Sequence, residues 1–176
     1  QIQLELESQG QHLVCFLGGM MALGGRLFNR EQDIDAAVKL TNGCIYTYQA
    51  FPHGIMPETF YMVPCASQEA CEWDEKRWKE GVLKEAKIQE SDTAQVDAII
   101  KDEHLPKGFT KIPDRRYILR PEAIESIFLL YRMTGKEDLR DIAWSMWEGI
   151  VRSTETDLAF SAIKSVKVKG TTQKGD

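Results

Sequence analysis

The segment RYILRPEAIESIFLLYRMTG, residues 116–135, passes within a few positions from a short apolar run to a long amphipathic one. Pro121 suits the first position of an α-helix, because a helix leaves that backbone N–H unbonded in any case. Gly135 is a typical residue just past a helix end. The apolar positions between them recur at helical spacing and are Ile124, Ile127, Phe128 and Tyr131. The segment therefore predicts a helix that begins at Pro121 and ends at Gly135.

Three charged residues crowd the start of this helix: Arg120, Glu122 and Glu125. The two glutamates are three positions apart, so they share one helix face. The partial positive charge of a helix N-terminus favours ionised carboxylates, and Arg120 adds a fixed cation. These effects suit Glu122 to act as a base or hydrogen-bond acceptor. Two interpretations remain open at this point, ordinary capping of the helix and a site for a polar ligand.

The rest of the chain predicts a mainly α fold of helical hairpins joined by irregular loops. A buried helix is predicted from His12 to about Leu23, with an end at Gly24 and Gly25. Helical periodicity recurs over residues 30–51 and 136–153, while the proline-rich residues 52–65 favour a loop with a short strand. The segment LAFSAIKSVKV, residues 158–168, has the composition of a strand.

Residues 66–112 differ in character from both flanking regions. They are charged and poorly periodic, which indicates a surface excursion with a short helix or two. We expect this excursion to belong to a single partial domain that covers residues 1–176.

Length and charge narrow the function classes. The chain has 176 residues and a net charge of −5, without the basic cluster of a nucleic-acid binder. Its most apolar run, residues 13–25, is too short to span a bilayer and follows Glu5 and Glu7 instead of the basic leader of a signal peptide. We expect no transmembrane segment here, and any targeting segment to lie outside these residues.

The four cysteines, Cys15, Cys44, Cys65 and Cys71, form no CxxC pair and show no zinc-site spacing. Two disulfides in an oxidising compartment and four reduced thiols in the cytosol are both compatible with composition.

Three segments occur in the order of a known family's motifs: HLVCFLGGMMALGG at residues 12–25, CIYTYQAFPHGIMPE at residues 44–58, and YILRPEAIESIFLLYRMTG at residues 117–135. In this order and composition the chain resembles the class I α-mannosidases, glycoside hydrolase family 47. The resemblance implies a section of an (α/α) toroid of paired helices. It also implies hydrolysis of α-1,2-linked mannose from high-mannose N-glycans, with inversion and a bound calcium ion, in the ER, the Golgi or outside the cell.

The resemblance also implies roles for individual residues. Glu122 matches the catalytic base, while Arg120 and Glu125 match pocket residues that hold sugar hydroxyls or ion-bound waters. Glu58 matches the glutamate of the PE loop and His12 the histidine of the HLxCF helix, which implies that both residues bind substrate. The implied contact of Glu58, Glu122 and Glu125 with calcium runs through water. Cys15 and Cys44 match the family's disulfide; Cys65 and Cys71 are close enough in sequence to form a second one.

The chain departs from the family pattern in three respects. Gln11 stands where the family has an acidic residue. The family's catalytic acid lies upstream of the HLxCF helix, and its calcium-binding threonine lies beyond the position of Asp176. We therefore expect residues 1–176 alone to be inactive and to lack a direct calcium ligand set. The alternatives are a non-catalytic glycan-recognition relative of the family and an unrelated helical interaction module.

Overall fold

A computed structural model describes residues 6–67, 70–88, 93–168 and 173–175. The chain is mainly helical, as predicted, and divides into two compact units. The first, here called the sheet unit, comprises Gln1–Gly10 and Thr59–Asp114; the second, the helical unit, comprises Gln11–Glu58 and Arg115–Asp176. Within the described ranges, no helix combines the length and apolar character needed to cross a membrane.

The helical unit is built from two pairs of helices. Its elements are a 3-10 turn at His12–Cys15, α1 (Phe16–Leu27), α2 (Glu31–Ala50), α5 (Glu122–Thr134) and α6 (Glu137–Thr154). Helix α1 packs against both α2 and α5, and α5 packs against α6. Gly135 adopts a left-handed φ of 68° and donates its N–H to the Tyr131 carbonyl, which ends α5 as the sequence predicts.

Two glycines allow α1 to approach its neighbours closely. A Cβ on Gly18 would overlap the Thr41 hydroxyl of α2, and a Cβ on Gly19 would lie 2.7 Å from Leu129 Cδ1 of α5. The Ser126 hydroxyl fixes this contact, because it accepts from the Gly19 N–H at 2.8 Å and donates to the Cys15 carbonyl at 2.5 Å. The start of α1 is thereby tied to α5. The Cys15–Cys44 disulfide ties it to α2, which confirms the predicted pairing.

One sheet has three strands in the order β1 (Gln9–Gln11), β2 (Thr59–Met62) and β3 (Phe109–Asp114). The sheet unit contains these strands, apart from Gln11, and the helices α3 (Glu75–Ala86) and α4 (Thr93–Asp102). Strands β2 and β3 are antiparallel, with Met62 opposite Phe109. The helices form a small core whose buried members are Trp78, Val82, Val96 and Leu105. The Trp78 indole donates to the Phe109 carbonyl at 2.8 Å, and Cys65 is bonded to Cys71. The charged residues 66–112 thus contain two helices and most of a strand.

The first helix begins at His12 as predicted, whereas its predicted end at Gly24 and Gly25 was wrong. Its first turn is 3-10, and the α-helix continues past Gly24 and Gly25 to Leu27. Gly25 is buried, and a Cβ there would lie 2.8 Å from Ile34 Cγ1 and 3.0 Å from the Arg30 carbonyl oxygen. Tertiary packing of α2 on this position therefore outweighs the low helix propensity of glycine.

Two further sequence predictions also need correction. The buried face of α5 comprises Ala123, Ser126, Ile127 and Leu130, whereas Phe128, predicted for this face, is 55% exposed. Residues 158–168 form no strand; Ile163 makes isolated bridges to Tyr117 and Lys174. Its backbone N–H groups donate to carbonyls in separate stretches of the chain, Ser161 to Thr154, Lys164 to Gln173 and Val166 to Arg115, so no ladder propagates despite its β-branched composition.

Candidate active site

Glu58 stands at the centre of the site, on the loop that follows α2. It is only 7% exposed. Its Oε2 accepts from Arg120 Nε at 2.5 Å, and its Oε1 accepts from the Ile118 backbone N–H at 3.4 Å. The Glu58 N–H also donates to the Arg116 carbonyl at 3.0 Å. The loop after α2 is therefore bound to the segment that leads into α5 through both backbone and side chain.

That segment contains a strained residue. Leu119 has a φ of 64°, in the left-handed region, which costs a non-glycine residue about 1–2 kcal/mol. It lies between Ile118 and Arg120, both of which donate to Glu58. Two hydrogen bonds to one buried carboxylate hold the chain on either side of Leu119 and so maintain its conformation. The reversal places Arg120 immediately before the first turn of α5.

His12 is completely buried beside Glu58. The His12 backbone N–H donates to the Glu58 backbone carbonyl at 3.0 Å, and the ring Nδ1 lies 3.8 Å from Glu58 Oε1. The ring stacks on Tyr117, with centroids 5.5 Å apart, and its Nε2 lies 2.9 Å from the Tyr48 hydroxyl. Two tyrosines therefore fix the orientation of the imidazole against the carboxylate.

Burial and charge determine the protonation of these groups. Burial, assisted by the Arg120 cation, lowers the pKa of His12 from 6.5 to about 3, so the imidazole is neutral at physiological pH. Burial also raises the pKa of Tyr48 and Tyr117, and the charges of Glu58 and Glu122 add to the effect, so both phenols keep their protons. The hydrogen bond to Glu58 raises the pKa of Arg120.

Glu122 is the first residue of α5 and faces the same cation. Its Oε1 lies 3.9 Å from Arg120 Nη1. Its Oε2 is buried and has no hydrogen-bond partner among the residues that the structure describes. This oxygen is not used to cap α5, although capping was the ordinary explanation for a glutamate at this position. Of the two interpretations drawn from the sequence, a site for a polar ligand fits this oxygen better.

Glu125 lies one turn further along α5 and borders a different feature. Together with Arg120 it lines a cavity of about 600 Å³ whose other walls are apolar. Those walls come from α5, α6 and the segments beside them, and include Leu119, Ile124, Phe128, Trp147 and Phe160. Arg120 therefore belongs both to the cluster that it forms with His12, Glu58 and Glu122 and to the wall of the cavity that Glu125 borders.

The structure brings four of the five predicted site residues into one cluster, namely His12, Glu58, Arg120 and Glu122, and places Glu125 on the cavity beside it. Their roles in catalysis or substrate binding stay predictions. Sequence reasoning did not single out Tyr48 and Tyr117, which contact His12. Both lie inside the quoted motif segments, so an aromatic residue within such a motif was the available signal.

The family resemblance implies a calcium ion, which needs a group of oxygen ligands near the site. Across residues 6–67, 70–88, 93–168 and 173–175, no three acidic, histidine or cysteine side chains are grouped as a metal site requires. Glu58 is already bonded to Arg120, and calcium takes six to eight oxygen ligands. A direct contact of Glu58 with the ion would therefore compete with its ion pair to Arg120.

Comparison with known proteins gives a consistent result. The family model described as glycosyl hydrolase family 47 matches residues 1–176. A probable mannosyl-oligosaccharide α-1,2-mannosidase 1B from Aspergillus fumigatus is 35% identical over 156 residues, 89% of this chain and 26% of the relative. A mannosyl-oligosaccharide α-1,2-mannosidase from Penicillium citrinum is 32% identical over the same number of residues, 25% of its length.

The structural comparison agrees with the sequence comparison. The solved structure of an α-1,2-mannosidase from Trichoderma reesei matches with a TM-score of 0.69 and 28% identity, covering 93% of this chain and 29% of the other. The chain thus matches part of an (α/α) barrel. It spans about a quarter of the length of the curated relatives it matches.

Proposed function

This chain belongs to glycosyl hydrolase family 47, and we propose that it supplies the general base and part of the sugar pocket of an α-1,2-mannosidase. The proposed reaction is the hydrolysis of terminal α-1,2-linked mannose from high-mannose N-glycans, with inversion. The observation that carries the proposal is the cluster of the buried Glu58 with the half-buried Arg120 and Glu122 at the start of α5.

Glu122 has the properties that a base requires. It is the first residue of α5, so its side chain meets the positive end of the helix dipole and lies beside the Arg120 guanidinium. Its Oε2 has no protein partner within the described residues, so it can accept a proton from a water molecule. Arg120 is held by Glu58, which keeps the guanidinium from swinging away from Glu122. The arrangement therefore leaves one carboxylate oxygen of Glu122 without a protein hydrogen bond, as a base that takes a proton from water requires.

An inverting glycosidase also needs an acid on the opposite side of the sugar, about 6.5–9.5 Å from the base. The family resemblance places that acid upstream of His12, outside residues 1–176. We therefore propose that residues 1–176 alone release little or no mannose. Calcium is proposed to bind through residues outside this chain, with Glu58, Glu122 and Glu125 in contact with its waters.

The proposed location is the secretory pathway or the cell exterior. Two disulfides, Cys15–Cys44 and Cys65–Cys71, support it, since disulfides persist in oxidising compartments and are rare in the cytosol.

The decisive experiment measures mannose release from a high-mannose N-glycan. Residues 1–176 and a longer form with sequence on both sides are assayed with calcium and with chelator. The longer form should release mannose in a calcium-dependent manner, and NMR should detect the β-anomer first, because inversion changes the configuration of the cleaved α-linkage.

Within the longer form, Glu122→Gln should lower the rate by at least about 100-fold, the usual contribution of a general base. Glu31→Gln is the matched control, because Glu31 is the exposed first residue of another helix, α2. An active Glu122→Gln variant would remove Glu122 from the role of base. A longer form that binds the glycan without releasing mannose would point instead to a recognition function.

A further inference from the structure

The imidazole of His12 lies between one donor and one anion. Its Nε2 is 2.9 Å from the Tyr48 hydroxyl, and its Nδ1 is 3.8 Å from Glu58 Oε1. Both His12 and Tyr48 are completely buried. A neutral imidazole carries one proton, so one of its nitrogens donates and the other accepts. Which nitrogen donates therefore decides what His12 presents to Glu58.

The two tautomers are not equivalent in this setting. With the proton on Nε2, the Nδ1 lone pair would point toward the Glu58 carboxylate, and two electron-rich groups would face each other in a buried place. With the proton on Nδ1, the positive end of an N–H dipole faces the carboxylate, and Nε2 accepts from Tyr48. The second arrangement satisfies Tyr48 as a donor and removes the repulsion.

We propose that Tyr48 is a positioning residue of this site: its hydroxyl donates to His12 Nε2 and thereby fixes the tautomer that directs Nδ1–H toward Glu58. The burial that keeps the imidazole neutral and the phenol protonated is consistent with this arrangement. The Tyr117 ring stacks on the His12 imidazole, with the two centroids 5.5 Å apart, and so limits the rotation of the imidazole.

The His12 tautomer is connected to Glu122, the proposed base, through two contacts, Glu58 with Arg120 and Arg120 with Glu122. Nδ1 makes no hydrogen bond among the described residues, so a proton there acts on Glu58 electrostatically from 3.8 Å, beside the hydrogen bonds that Ile118 and Arg120 donate. Glu58 orients Arg120, and Arg120 Nη1 lies 3.9 Å from Glu122 Oε1. The role of Tyr48 in catalysis rests on the proposed function, whereas the tautomer itself does not.

The tautomer can be read directly in residues 1–176 by NMR with nitrogen-labelled histidine. The chain has three histidines, His12, His53 and His104, so the ring signals can be assigned by substitution. At neutral pH the His12 ring should show a protonated Nδ1 and an unprotonated, hydrogen-bonded Nε2. In Tyr48→Phe, which removes only the donor, the share of the Nε2–H tautomer should rise, because only the Glu58 carboxylate then favours a proton on Nδ1.

Tyr46→Phe is the matched control, because Tyr46 lies on the same helix, about 200° around it from Tyr48, and is 42% exposed. It should leave the His12 signals unchanged. Should Tyr48→Phe fail to fold, incorporation of fluorotyrosine at position 48 replaces it. Fluorotyrosine is a stronger donor, so the Nε2 signal should move further in the direction of hydrogen-bond acceptance while Nδ1 remains protonated.

Three outcomes would overturn the proposal: a proton on Nε2 in the unmodified chain, a Nδ1–H tautomer that persists in Tyr48→Phe, and an Nε2 signal that does not respond to fluorotyrosine. The failure of the proposed function is distinguishable from these. A Tyr48-dependent tautomer in a protein whose longer form releases no mannose would keep this inference and reject the mannosidase proposal.

Discussion

The ion pair between Glu58 and Arg120 joins two residues that are 62 positions apart in the sequence. It lies where burial makes an unpaired charge costly, because Glu58 is only 7% exposed. Its contribution is therefore best described as positional: removing Arg120 would leave a buried carboxylate with one remaining backbone donor. The same pair keeps Leu119 in its left-handed conformation.

His12 should make the stability of the protein depend on pH. Its pKa is about 3 in the folded chain and near 6.5 when unfolded, so the unfolded state binds more protons between these values. The free energy of unfolding should therefore fall as pH decreases below 6.5, by about 3 kcal/mol at pH 4. Urea unfolding of the unmodified chain and of His12→Gln across this range measures the difference.

The groups that face His12 are Glu58, Arg120, Tyr48 and Tyr117, and all of them remain in the His12→Gln variant. Their own titration therefore cancels to first order in the comparison. His104→Gln, at an exposed position, controls for the loss of a histidine. Parallel stability curves for the unmodified chain and His12→Gln would contradict the burial of a neutral imidazole.

At the scale of single elements, α1 provides a test of close helix packing. Gly19→Ala would bring a Cβ to 2.7 Å from Leu129 Cδ1 and 3.2 Å from the Ser126 Cα. Overpacking of this kind destabilises by about 1–3 kcal/mol. We expect Gly19→Ala to lower the urea midpoint correspondingly, through separation of α1 from α5.

Gly24→Ala is a control on the same helix, because a Cβ there meets nothing within 4 Å. It should leave stability unchanged or raise it by up to about 1 kcal/mol, since alanine has the higher helix propensity. If Gly19→Ala is as well tolerated as Gly24→Ala, the approach of α1 to α5 is looser than the structure indicates.

The Cys15–Cys44 disulfide joins the 3-10 turn to α2 across 29 positions of sequence. In the chain-entropy estimate, opening a loop of this length costs about 3–4 kcal/mol. The double variant Cys15→Ala/Cys44→Ala should lose stability of this order in urea unfolding. The turn that carries His12 would lose its covalent link to α2 as well.

The Cys65–Cys71 disulfide offers a comparison, because it spans only 6 positions. The same estimate gives about 2 kcal/mol for Cys65→Ala/Cys71→Ala. The loss should therefore be smaller than for the first pair. Equal losses, or the reverse order, would mean that loop closure is not the main contribution of these disulfides.

At the scale of the whole molecule, the chain covers about a quarter of the length of its curated relatives, and calcium binding tests what that means for the site. Glu58, Glu122 and Glu125 are expected to reach the ion only through water, and such outer contacts do not replace the six to eight oxygens that calcium prefers. Calorimetric titration of residues 1–176 should therefore detect no tight binding. A longer form that includes the family's downstream threonine should bind.

Because the acid is expected from upstream sequence, extension at the downstream end alone should restore calcium binding before it restores mannose release. Submicromolar binding by residues 1–176 would show that the ligands have been assigned to the wrong part of the protein. Stability of residues 1–176 with and without calcium provides the control, since a bound ion raises the unfolding midpoint.

Helices whose signals are local could be predicted from the residues alone. The bounds of α5 and α6 follow from apolar periodicity and a left-handed Gly135, and the predicted bounds lie within one residue of those observed. The motif segments were sufficient to indicate the family and the Cys15–Cys44 pair, because residue types at fixed spacing are written in the chain itself.

Features that depend on contacts between distant residues could be recognised only in the folded protein. Helix α1 continues through Gly25 because Ile34 of α2 packs on it. Residues 158–168 remain irregular because their backbone hydrogen bonds are divided among several separate stretches of the chain. Glu58 meets Arg120 only when the loop after α2 lies beside the start of α5, and His12 meets Tyr48 only when the turn before α1 lies against α2. No local propensity specifies such contacts, because their free energy comes from burial and hydrogen bonds between separate segments.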